Sequence, residues 1–305
     1  MLAIVIPYYK LAFFEKTLQS LSRQTNNQFK VYIGNDASPE NPSILINRYK
    51  SLLDIEYKQF EHNLGSVSLV KQLERCVSMA NDEEWVMILC DDDVIDKNCV
   101  SEFYNQLVEI NQLKINVIRY STVVIDQFDE KVSKIHTHPK LEKSTDFLMR
   151  KIRGGTRSSL SEFVFRKNVL LEVKIKELPL AWYSDVLAFL EVSKFNLIYT
   201  INESNVYFRL SGLNITSKND DLKIKNVATF EFYLYLLKEK KKHFDLNEIA
   251  VLQYKLEKTF LDNKKNIYFW LKLTKFYGSN FYFKRYFLFL NKMLQSIYKK
   301  YSNLL

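Results

Sequence analysis

Three consecutive aspartates, Asp91, Asp92 and Asp93, directly follow the apolar run WVMILC at 85–90. Adjacent carboxylates at the end of a buried strand repel one another unless a countercharge sits between them. A divalent cation supplies it most economically, and oxygen donors of this type suit Mg²⁺ or Mn²⁺, with water and a phosphate filling the remaining positions. A solvated acidic turn capping the next helix is the plainer alternative. No GxxxxGK[ST] or GxGxxG segment is present, which argues against a P-loop or dinucleotide site. The loop PYYKLAFF after the first apolar run also lacks glycine, so no glycine nest cradles phosphate there. The motifs therefore point to a domain that holds a nucleotide diphosphate through a metal.

The elements that must position these carboxylates alternate between two periodicities. Runs at 2–7, 29–34, 55–59 and 85–90 read as strands, the first and last buried on both faces. Segments 14–24, 44–53 and 67–79 between them read as helices. This βαβαβαβ rhythm predicts a parallel sheet covered by helices, with ligands beyond the carboxyl ends of the strands. Three polar strand ends meet that condition: Pro7 to Lys10, Asn35 to Ser38, and Asp91 to Asp93. Further on, 117–125, 161–165, 197–201 and 206–209 read as strands, 101–111, 145–151 and 183–195 as helices, and 136–142 as a loop. From residue 224 onwards only helices are expected.

The ordered set IVIPYYK, TLQSLSRQT, VYIGNDASPE, NLGS and ILCDDD resembles glycosyltransferase family 2 over about residues 1–215. The resemblance implies the GT-A fold, a Rossmann-like, mostly parallel mixed sheet with flanking helices. It further implies inverting transfer of one sugar from a nucleotide-diphosphate donor, assisted by Mg²⁺ or Mn²⁺. Position by position, Pro7 and Tyr9 would line the base pocket and Asp36 would accept a hydrogen bond from base or ribose. Asn63 and Gly65 would form the turn beside the donor, with Lys71 a further donor contact or a surface lysine. Asp91 and Asp93 would form the DxD-type metal pair, with Asp91 or Asp92 towards the ribose. Asp185, in LAWYSDVLAF, would be the catalytic base, although Ser184 replaces the usual preceding glutamate and a helix-start charge would serve as a cap in the same place. Arg209 would clamp the diphosphate. Arg157, Glu162 and Trp182 would shape the acceptor pocket. Relatives place a histidine as third metal ligand near Ser211 and Asn214, where this chain has none. His136 and His138 fall in a polar loop and are expected to be solvated. The processive QxxRW signature is absent.

Charge divides the chain. Residues 1–254 carry 33 basic and 33 acidic side chains, whereas residues 255–305 carry 11 and 2, so the whole net +9 lies in the last part. Thirteen aromatics accompany the lysines in residues 264–301. Predicted helices at 267–277 and 281–301 have broad apolar faces with cationic flanks, which suits either an anionic membrane surface or packing on a catalytic domain. We therefore expect a catalytic domain at 1–217 and a basic helical region at 218–305. No nucleic-acid recognition module is evident. The three cysteines lack metal spacing, the opening MLAIVIPYYK lacks a basic leader, and no run of about 18 apolar residues occurs. A cytoplasmic enzyme, peripheral on the inner face of the membrane, is the expectation. Its acceptor would be a surface polysaccharide, such as capsule or O-antigen, or a lipid-linked saccharide. A catalytically silent module of the same fold that binds sugar nucleotide or polysaccharide is the alternative.

Overall fold

The buried runs set the sheet. In the computed structural model, β1 (Leu2–Tyr8) pairs in parallel with β2 (Phe29–Asn35) and with β4 (Trp85–Ile88), and β2 pairs in parallel with β3 (Ile55–Gln59). Described are residues 1–305 except 213, 215, 218–220, 280–281 and 303–305, with side chains up to residue 295. The chain divides into two compact units, Met1–Asn219 and Asp220–Leu305.

In the first unit, nine strands form one mixed sheet of order β3-β2-β1-β4-β8-β6-β9-β5. Strand β8 (Phe163–Arg166) enters antiparallel between β4 and β6 (Val117–Ile125). Strand β9 (Leu197–Arg209) runs parallel to β6 across a register shift at Tyr120/Ser121. The shift explains why the sequence read β9 as two strands: one continuous strand absorbs the irregularity as a bulge. Strands β5 (Val94–Ile95) and β7 (Leu141–Lys143) each add antiparallel to one end of β9, and β7 takes part of the expected 136–142 loop.

Helices cover both faces. On one side α1 (Phe14–Ser22), α2 (Ser43–Tyr49) and α4 (Cys99–Gln112) bury Phe14, Leu18, Ile46 and Phe103 against Leu2, Ile4 and Ile6 of β1. Burying each such side chain contributes about 1.5–3 kcal/mol. On the other side lie α3 (Leu69–Val77), α5 (Ser144–Ile152), α6 (Lys167–Val173) and α7 (Ser184–Val192). Pro7 is tolerated in a central strand because the β4 ladder ends at Val5↔Ile88, before the missing N–H would be needed.

Polar groups buried beneath α5 were not legible in the sequence. Arg119 is fully buried, donates to Thr200 at 2.7 Å and to Glu142 at 2.9 Å, and lies 4.2 Å over the Phe147 ring. Glu142 also accepts from Arg150 Nε and Nη2, and that same Nη2 meets His138 Nδ1 at 2.7 Å. His138 is thus a buried member of this network, which corrects the expectation of a solvated loop histidine. Burial, with Arg119 and Arg150 beside it, pushes its imidazole down to about 2.

The second unit comprises α8 (Leu222–Glu239), α9 (Leu246–Asp262), α10 (Ile267–Ser279) and α11 (Phe283–Ser302). Helix α9 starts from a capping box in which Asp245 accepts from Glu248 N–H and Glu248 from Asp245 N–H, both at 2.8 Å. Aromatic packing joins the helices, with Phe230 stacked on Phe269 at 4.2 Å and Phe260 edge-on to Phe289 at 5.0 Å. The predicted helix at 281–301 corresponds to α11; Phe281 lies outside the described residues.

Candidate active site

The carboxyl ends of β1, β2 and β4 lie side by side, so the three polar strand ends meet at one edge of the sheet. Asp91 fastens two of them: its Oδ2 accepts from the backbone N–H groups of Tyr9 and Lys10, both at 2.8 Å. The Tyr9 carbonyl accepts from the Ser38 hydroxyl at 2.6 Å, tying in the third. Tyr9 itself stands exposed at the rim and Pro7 is half-buried beneath it.

Asp36 organises the neighbouring turn. It is buried, accepts from Leu64 N–H at 2.7 Å and Gly65 N–H at 2.8 Å, and pairs with Arg75. A Cβ at Gly65 would lie 2.5 Å from Asp36 Oδ2, so only glycine permits this approach. Asn63 Oδ1 accepts from Ser66 N–H at 2.9 Å and shapes the same turn. Arg75 lies 3.8 Å over the Phe60 ring and also donates to the His62 carbonyl, locking the loop from behind. Lys71 is exposed on α3.

Asp92 and Asp93, adjacent in sequence, have opposite surroundings. Asp93 is fully buried and both of its oxygens are engaged: Oδ2 accepts from Ser161 at 2.6 Å and Oδ1 from Arg209 N–H at 2.9 Å. Asp92 is half-buried, and among the described residues no hydrogen bond or ion pair ends on its carboxylate. Burial and the charges of Asp93 and Asp91 push Asp92 up to about 8, and burial pushes Asp93 up to about 6. A carboxylate held unpaired against two others is the environment a cation relieves. Ligand atoms of Cys90, Asp92 and Asp93 all lie within 4.8 Å of one another. Asp91 is not part of that convergent set, because its carboxylate is turned to the β1 loop. Burial and the three aspartates hold the Cys90 thiol well above its ordinary range.

Arg209 stands behind the cluster rather than over open space. Its guanidinium is fully buried, donates to the Asp92 carbonyl at 2.8 Å and the Asp126 carbonyl at 2.9 Å, and pairs with Asp129 at 2.7 Å. These contacts make it a positioning group for the backbone of the aspartates. Leu213 and Ile215 of the FRLSGLNITS segment lie outside the described residues.

The second carboxylate group enters from the other side. A one-turn 3₁₀ segment, Leu160–Glu162, precedes β8, and its Ser161 hydroxyl also accepts from Cys90 N–H at 3.1 Å. Next to it Glu162 is fully buried and pushed up to about 7 by that burial, with Arg157 3.9 Å away. Asp185 sits in the first turn of α7, which packs on β8. Burial raises its carboxyl, opposed chiefly by Lys151 and also by Arg157. Arg157 also opposes the rise at Asp93, so one guanidinium acts on both the aspartate cluster and Asp185. Leu180, Ala181 and Tyr183, just ahead of Asp185, all have left-handed backbone, at φ 58°, 52° and 69°. Each such residue costs of order 1–3 kcal/mol, and strain of this kind collects at functional sites. Trp182, half-buried, lies in that segment edge-on to Tyr183.

Ser161 and Arg75 had no motif to betray them; their roles arise from contacts across 68 and 39 residues of sequence. Cys90 carried a signal, since it directly precedes the aspartates.

With this geometry in view, the relatives are informative. The family model for "Glycosyl transferase family 2" matches residues 3–168, more than half of the chain. The chain belongs to glycosyl transferase family 2. No curated protein matches it. Among solved structures, S. aureus TarS 1-349 in complex with UDP has a TM-score of 0.59 at 18% identity, over 85% of this chain and 71% of that one. TarS 1-349 in complex with UDP-GlcNAc gives 0.59 at 17% identity, over 86% and 80%. A further S. aureus TarS structure gives 0.60 at 16% identity, over 85% of this chain and 43% of its own. At these identities the likeness is one of fold, and this family 2 glycosyltransferase has the GT-A architecture with C-terminal helices.

Proposed function

We infer that the protein transfers one sugar, with inversion, from a nucleotide-diphosphate sugar to a hydroxyl of a surface-polysaccharide or lipid-linked acceptor. The observation that carries this reading is the unpaired Asp92 carboxylate beside Asp91 and Asp93 at the carboxyl edge, with Asp185 sharing the field of Arg157. TarS structures hold UDP and UDP-GlcNAc, which supports a uridine diphosphate donor here. Pro7, Tyr9 and the Asp36–Gly65 turn face the nucleotide in this reading. Asp92, helped by Asp93, would hold Mg²⁺ or Mn²⁺, which when bound would offset charge on the diphosphate leaving group; the Cys90 thiol, held protonated beside them, would not be a ligand of so hard a cation.

The chain's own groups do the rest. Asp185 accepts the acceptor's hydroxyl proton, and a carboxyl raised by burial is a stronger base for that step than an exposed one. Lys151, and with it Arg157, opposes the rise of its carboxyl, and Glu162 and Trp182 border the acceptor. Arg209, Ser161 and Asp91 hold the aspartate turn in register. The protein should release nucleotide diphosphate from a UDP-sugar in the presence of Mg²⁺ or Mn²⁺. Asp185→Asn should lower turnover by about 10²–10⁴-fold with donor affinity retained, and Asp92→Asn should abolish the metal dependence. Unchanged turnover in both variants overturns the reading. Donor binding without released nucleotide, across a broad acceptor panel, would favour a silent binding module instead.

A further inference from the structure

Helix α11 carries two apolar faces, where a helix at a protein surface ordinarily needs one. The first is covered: Phe289 and Met293 are buried, Phe289 packs on Phe260, and Tyr286 lies 5.4 Å from Tyr277 of α10. The second is bare. Phe283, Phe287 and Leu294 are 52%, 65% and 59% exposed, with half-buried Leu290 completing the spacing i, i+4, i+7, i+11 along one side. Ile267 and Leu271 of α10 are similarly exposed at i, i+4.

Charge says what covers this stripe. Residues 255–305 hold 11 basic and 2 acidic side chains, and both acids are already neutralised. Glu257 is met by Arg285 at 3.1 Å and Lys292 at 3.8 Å, and Asp262 by Lys258 at 2.7 Å. Residues 255–305 thus leave neither of their own carboxylates uncompensated while carrying the cations that flank the stripe. A second copy of the same surface would meet it with like charge, whereas an anionic surface with an apolar interior matches both features. No described helix is long and apolar enough to cross a membrane. At 1.5 Å per residue the 20-residue α11 is about 30 Å long, enough for an in-plane contact.

We propose that α11 docks in the headgroup plane of an anionic bilayer, with Phe283, Phe287 and Leu294 in the acyl boundary and Lys284 among the lipid phosphates. The inference stands apart from the reading of the active site, because its test reads binding and not turnover. The full chain should co-float with phosphatidylcholine vesicles containing phosphatidylglycerol, and far less with phosphatidylcholine alone or in high salt. Phe287→Glu with Leu294→Glu, both at exposed positions, should lower the bound fraction about tenfold or more, with circular dichroism and thermal melt unchanged. Lys275→Glu with Lys284→Glu should remove the preference for phosphatidylglycerol. Equal flotation of wild type and the Phe287/Leu294 variant overturns the proposal. So does a wild-type dimer in sedimentation that the same variant converts to monomer without any vesicle binding, because the stripe would then be a self-association face.

Discussion

Replacing Ser161 by alanine tests whether the aspartate turn is held from behind. The hydroxyl donates to Asp93 at 2.6 Å and accepts from Cys90 N–H at 3.1 Å, in a fully buried position. A hydrogen bond to a charged group contributes about 1.5–3 kcal/mol, and a second partner is left unmatched, so a loss of about 2–3 kcal/mol is expected. For a unit of this size, each kcal/mol moves the melting temperature by about 2–4 °C, which places the fall at about 4–12 °C. The sign with pH follows from the same bond. Asp93 is raised to about 6 and the Ser161 hydroxyl opposes that rise, so the bond favours the ionised form. Its contribution is full only above the still higher value that Asp93 takes without the hydroxyl, and is lost as pH falls from there through about 6. Thermal melts of the full chain in chelating buffer should therefore show a larger wild-type-to-variant gap at pH 8 than at pH 5. Ser158→Ala, which removes a buried hydroxyl without a partner, serves as the control and should change little. A Ser161→Ala melt within about 1 °C of wild type at pH 8 would refute the reasoning.

Two other predictions rest on titrating groups. Because burial raises Asp185, the acid limb of kcat/KM should lie above the ordinary aspartate value of 3.8, and Arg157→Gln should move it further up; a limb that stays put contradicts the proposed role of Arg157. His138 is held neutral down to about 2 in the fold, while the unfolded chain takes up its proton near 6.5. Stability should accordingly fall as pH drops below 6.5, and between pH 6 and pH 4 wild type should lose about 2.5 kcal/mol more than His138→Gln. Parallel urea-unfolding curves for the two proteins across that range would refute the burial argument.

Local pattern was enough for much of this protein. The alternation of apolar runs with 3.6-period segments placed β1 to β4 and α1 to α4, because a strand buried on both faces has little freedom in composition. Placement at strand ends located Asp36 and the three aspartates, since a parallel sheet must gather its carboxyl ends at one edge, whereas the Asn63–Gly65 turn was singled out only by the family resemblance. Segregation of charge located the basic helices. What sequence could not decide was the division of labour among equivalent residues. Asp91, Asp92 and Asp93 are chemically identical on paper. Only packing turns Asp91 to the β1 loop, walls Asp93 in with Ser161 and Arg209, and leaves Asp92 unpaired. Nor could it foresee the single β9 strand, the burial of Arg209, or His138 inside an arginine–glutamate network. Each depends on partners 12 to 117 residues away. Residue type and spacing determine which chemistry is available. The tertiary contacts decide which copy of a group is desolvated, which is neutralised, and so which one is left to act.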